Sequence, residues 1–129
     1  MDINESTKFL NHDEEQYLNR FGTLIRETIQ DYNINTGCNT HRTRYVLTHG
    51  EATLVFYVLG NGNYELRGYV TTDYLKDYNH VSESTCIGFQ IKTLLKRGIA
   101  CLEAIGRFRD KPYLRRSAQE VLDMIKESK

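Results

Sequence analysis

Thr53-Leu54-Val55-Phe56-Tyr57-Val58-Leu59 is rich in β-branched and aromatic residues and is apolar at its odd and its even positions alike. A strand with one wet face alternates apolar with polar residues, so this one predicts a strand that needs cover on both sides. Residues 44–49 and 63–72 have the same character, and glycine-containing turns bound all three runs. Gly60-Asn61-Gly62 supplies the positive φ angles of a tight hairpin, and Gly50-Glu51 suits a two-residue turn with glycine first. Residues 44–72 therefore read as a three-stranded antiparallel β-meander with residues 53–59 in the middle.

Helices are the obvious cover for one face. Upstream, Asn11 followed by Glu14 has the spacing of a capping box, and Asp13, Glu14 and Glu15 stand where a helix dipole favours negative charge. Tyr17, Leu18, Phe21, Leu24, Ile25, Thr28, Ile29 and Tyr32 then recur at intervals of three and four, predicting one amphipathic helix from Asn11 to about Tyr32. Gly22 costs that helix about 1 kcal/mol relative to Ala and suggests a close neighbour. Residues 33–39, with Gly37, end it, and residues 1–10 form a flexible arm.

Downstream, residues 73–81 read as a long connection, and Ser82 or Ser84 can cap a helix whose stripe is Ile87, Ile91, Leu94, Leu95, Gly98, Leu102 and Ile105. Lys96-Arg97-Gly98 resembles a helix end, yet the stripe keeps its phase to Phe108, which favours one long helix or two nearly collinear ones. The single proline, Pro112, can open a last helix running to about Ile125, with Leu114, Ala118, Val121, Leu122 and Ile125 facing inward and Ser117 and Glu120 as a possible internal cap. The fold class expected is α+β: an N-terminal amphipathic helix, the meander, and two or three C-terminal helices in a single domain over residues 1–129. Both faces of the middle strand need cover, and a second copy of the chain is the simplest source for the second face, so a homodimer is expected, with helices split between the two faces as the alternative.

The 129 residues include 17 basic and 17 acidic side chains, so no global field draws the chain to nucleic acid or an anionic membrane. The charges are segregated, however. Residues 1–35 hold seven acids against three bases, and residues 92–116 hold eight bases against two acids. Three widely spaced cysteines argue against a disulfide framework. The acidic start lacks the pattern of a secretory signal and no run reaches membrane-span length, so a cytoplasmic protein is expected.

Cys38 and His41 form one close pair of metal-ligating types, whereas a structural zinc site usually needs two such pairs. Cys86 with His80 and Asp77 supplies the residue types of a cysteine nucleophile, base and orienting acid, without evidence that they meet. No phosphate loop, dinucleotide fingerprint or hydrolase elbow is present. A non-enzymatic protein with no cofactor and no metal is the expectation.

The strongest local signal is Arg107-Phe108-Arg109-Asp110-Lys111-Pro112-Tyr113-Leu114-Arg115-Arg116, with five bases and one acid in ten residues. Guanidinium groups bind carboxylates and phosphates bidentately, and an aromatic ring can stack beside them. Lys96 and Arg97 on the preceding helix can join this segment, and Tyr74 and Tyr78, outside the strands, add residues of interface-anchoring type. Alternatively, the acidic first helix neutralises the patch within the molecule. The function expected is protein–protein interaction or inhibition acting on a larger cytosolic assembly. The alternative is a nucleotide- or nucleic-acid-binding module using residues 107–116.

Overall fold

A computed structural model of the chain describes residues 8–59, 65–71, 79–82 and 87–128. Helix α1 (His12–Asn19) is followed by β1 (Thr23–Asn33), β2 (Cys38–His49), β3 (Ala52–Leu59), β4 (Glu65–Thr71) and β5 (Asn79–Ser82), then α2 (Ile87–Ala104) and α3 (Pro112–Glu127). The strands form one antiparallel sheet in sequence order, β1-β2-β3-β4-β5. The α+β class and the antiparallel meander agree with expectation, but the sheet holds five strands among the described residues rather than three.

The long N-terminal helix is the principal correction. The capping box is present, Asn11 Oδ1 accepting from Glu14 N–H at 2.8 Å and Glu14 Oε1 accepting from Asn11 N–H at 2.9 Å, but the helix ends at Asn19. Residues 23–33 are strand. Gly22 lies between the two, where a Cβ would fall 2.4 Å from the Thr48 carbonyl oxygen, so a close neighbour does exist but is a strand backbone. Residues 1–7 are outside the described residues, whereas Lys8 N–H donates to the Val58 carbonyl at 2.8 Å and Leu10 is buried.

Pairing across the sheet sorts the side chains into two faces. Leu24, Leu47, Leu54 and Val70 form one cross-strand row, and Tyr45, Phe56 and Gly68 the next. The buried members of this face join the residues of α2 and α3 in one hydrophobic core. The other face of β3, with Val55, Tyr57 and Leu59, is 6–7% exposed within the single chain. There the Arg42 guanidinium lies 5.0 Å from the Tyr57 ring centre, and Arg44 pairs with Glu27 on β1. Burial alone would lower the Arg44 pKa, but the hydrogen-bonded Glu27 carboxylate overrides it and holds the guanidinium above its ordinary value. The middle strand thus has both faces buried without a second chain, and β3 itself does not require a dimer.

The Gly50 turn joins β2 to β3 with φ 57, as expected. Glycine also explains why α2 does not stop at Gly98. Its Cα faces the sheet, and a Cβ there would meet Val70 Cγ2 at 2.5 Å, so Lys96-Arg97-Gly98 marks close helix–sheet contact. Ser82 is the last residue of β5 and cannot cap α2, and Ser84 is outside the described residues. Pro112 opens α3 at its first turn, and all five expected inward residues are buried. Ser117 is buried inside the helix, accepting from the Glu51 N–H at 3.0 Å instead of capping.

Tyr45 locks the N-terminal elements onto the sheet. Its fully buried ring stacks on Phe56 at 5.5 Å, and its hydroxyl accepts from Leu10 N–H at 2.9 Å and donates to Glu15 Oε2 at 3.3 Å. Burial raises the phenol pKa above its ordinary 10.0, opposed by the Leu10 hydrogen bond and assisted by the Glu15 carboxylate. A raised folded-state pKa contributes stability that is complete below the unfolded value and lost as pH rises through the folded one. Stability to urea is therefore expected to fall above about pH 10. Tyr45→Phe should flatten that alkaline decline and cost about 1–3 kcal/mol at neutral pH, since Leu10 N–H loses its acceptor.

Candidate functional site

The turn between α2 and α3 is built to project cations. Gly106, at φ 77, leaves the end of α2, and a 3-10 turn at Arg107–Arg109 carries the chain to Pro112. Arg109 N–H bonds the Gly106 carbonyl and Lys111 N–H the Arg107 carbonyl, each at 3.3 Å, so the bases ride on an ordered backbone. Arg107, Arg109, Tyr113, Arg115 and Arg116 are exposed and Lys111 is half-buried. The Arg116 guanidinium lies 5.4 Å from the centre of the Tyr113 ring, which is 63% exposed. Arg115 faces Glu103 of α2 at 4.0 Å.

The first turn of α3 holds no acid, and its cap residue, Lys111, makes no side-chain capping hydrogen bond. A helix N-terminus favours negative charge by about 0.3–1 kcal/mol per group. This one places Lys111, Arg115 and Arg116 there instead.

The two further bases expected at the site sit apart from this corner. Lys96 and Arg97 are exposed on α2, about 10 Å of helix rise before its end. Lys96 shares a stripe with Phe89, Lys92 and Glu103, whereas Arg97 is turned about 100° away from it. Tyr74 and Tyr78 lie outside the described residues, as do Asp77 and Cys86. Cys38 and His41 both belong to β2, where a separation of three directs their side chains to opposite faces. Among the described residues no three His, Cys, Asp or Glu side chains are placed to share a metal ion, and no helix is long and apolar enough to cross a membrane.

At the far end of the α2–α3 seam is a cleft that sequence reasoning missed. Tyr17, Ile87, Gly88, Phe89, Lys92, Ile125, Lys126 and Ser128 enclose about 430 Å³ with mainly apolar walls. Gly88 makes room for Tyr17, since a Cβ there would fall 2.6 Å from the tyrosine oxygen. Phe89 is 43% exposed with the Lys92 ammonium 5.7 Å from its ring centre. The available signal was Phe89 itself, an aromatic on the polar side of an amphipathic helix. The seam thus joins a cationic corner to an apolar cleft, with Lys92, Lys96 and Lys126 along it.

Fold and surface together define an α+β domain in which one helical layer covers an antiparallel sheet and carries a charged seam. No protein-family model matches the chain, and no curated protein and no solved structure shows significant similarity to it.

Proposed function

We propose that the chain is a non-catalytic binding protein whose α2–α3 seam receives an acidic segment of a protein partner, with an apolar side chain of that segment seated in the Phe89 cleft. The observation that carries the reading is the pairing, on one seam, of an acid-free helix start rich in arginine with an apolar cleft. Carboxylates from a partner would supply the negative charge that the α3 start lacks and would meet arginine forks suited to bidentate contact. Apolar anchors in pockets supply most of the affinity of such contacts, and rim charges supply rate and selectivity. Binding of this kind suits a small accessory or inhibitory protein acting on a larger cytosolic assembly.

A second reading rests on Tyr113, exposed beside Arg116 and close in sequence to Arg107 and Arg109. A ring and guanidinium groups in this combination can also hold a nucleotide base and its phosphates. Capture from native lysate at low salt, with and without nuclease, separates the two. The proposal expects one stoichiometric protein that survives nuclease and is released as salt rises. Nucleic acid that co-purifies, absorbs at 260 nm and disappears with nuclease would transfer the site to the second reading.

A further inference from the structure

We propose that β1 is a dimer interface, at which two copies of the chain pair edge to edge about a two-fold axis through Thr28. This goes beyond the partner site on α2 and α3 and does not depend on it. Among the described residues strand β1 has a single neighbour in the sheet, β2, and it runs eleven residues from Thr23 to Asn33 without interruption in its register. In an antiparallel pair alternate residues bond the neighbour, and the residues between them point their N–H and C=O groups away. Leu24 N–H bonds Asn19 Oδ1 at 3.2 Å, which identifies the outward set as Leu24, Arg26, Thr28, Gln30 and Tyr32. Asn19 therefore covers one end of the edge. Arg26, Thr28 and Gln30 are exposed, and the strand carries no proline and no lysine, two devices that blunt open edges elsewhere.

The sequence of β1 can pair with a second copy over its whole length without opposing like charges. Two copies related through Thr28 place Arg26 opposite the partner's Gln30, Thr28 opposite the partner's Thr28, and Glu27 opposite the partner's Ile29. The outward set falls into hydrogen-bonding pairs, and no like charges meet directly. Moving the axis to Glu27 sets that carboxylate against its own copy, which is repulsive. The Thr28 register also matches the strand's full length, end to end. The three pairs formed by Arg26, Thr28 and Gln30 each exchange two backbone hydrogen bonds and join two five-stranded sheets into one.

Light scattering of the purified chain at tens of micromolar should give twice the 15.1 kDa chain mass. Thr28→Lys, which brings two ammonium groups together at the axis, should raise the dissociation constant at least about ten-fold with an unchanged circular dichroism spectrum. Register is read independently by cysteine cross-linking in a Cys38→Ser background. Paired residues at the axis lie about 5.5 Å apart between Cα atoms, within disulfide range, so Thr28→Cys should give an oxidised dimer and Ile29→Cys should not. A wild-type chain of 15.1 kDa at every concentration overturns the proposal. So does a dimer unaffected by Thr28→Lys, or cross-linking at position 29 in place of 28.

Discussion

Arg107→Glu, Arg109→Glu, Arg115→Glu and Arg116→Glu, introduced together, are expected to weaken partner binding on the order of a hundred-fold or more while leaving thermal unfolding nearly unchanged. All four side chains are exposed, and the one ion pair given up among the described residues, Arg115 with Glu103, is long and well solvated. A solvated pair of that kind is worth about 0.2–1 kcal/mol. Glutamates near the start of α3 recover a comparable amount by meeting the helix dipole with the favoured sign. Stability and recognition should therefore separate, because the cations sit where they do not help the helix. Isothermal titration and a melting curve on the same preparation check both halves. A variant that binds as wild type, or one that binds less only because it unfolds, would show that these arginines are solvated surface without a recognition role.

Gly98→Val is expected to cost about 3 kcal/mol, a large share of the stability of a domain this size. A Cβ at Gly98 already reaches within 2.5 Å of Val70 Cγ2 and 3.0 Å of its Cβ, and valine adds two methyl groups to that overlap. Val70 and Leu102 are buried and belong to the same core, so neither α2 nor β4 can yield without opening it. Any gain from replacing a helical glycine, about 1 kcal/mol, is smaller than the overlap. Val70→Ala should restore part of the loss when combined with Gly98→Val, because the contact is pairwise. Equal costs with and without the Val70 change, in urea unfolding, would mean that Gly98 serves some other purpose.

The C-terminal helices and the central strands were legible because each has one dominant period. Residues 87–104 keep a helical stripe across Gly98, and residues 53–59 are too apolar and too short for anything but a buried strand. Residues 20–33 were misread for a physical reason. Phe21, Leu24, Ile25, Thr28, Ile29 and Tyr32 fit a helical stripe, but Leu24, Arg26, Thr28, Gln30 and Tyr32 also form one face of a strand. Clean alternation is missing because β1 is an edge strand, and only Leu24 of its inner face packs against the core. Thr23, Ile25, Thr28 and Ile29, β-branched, and Gly22 before them were the signals for extended backbone.

The basic corner was legible as well, since Arg107 to Arg116 cluster in sequence and a turn keeps them together. The cleft was not, because Tyr17, Phe89 and Ile125 come from three helices whose convergence depends on Gly88. The acids of the first helix also have local partners. Glu14 closes its own cap and Glu15 bonds Tyr45, while Arg115 finds its acid on α2.

Hydrogen–deuterium exchange of the chain with and without its captured protein partner reads the proposed surface directly. Added protection is expected in peptides covering residues 87–97 and 122–128, at the cleft end of the seam, and 105–116, at its basic corner. Protection confined to β2 and β3, with residues 87–128 unchanged, would contradict the account.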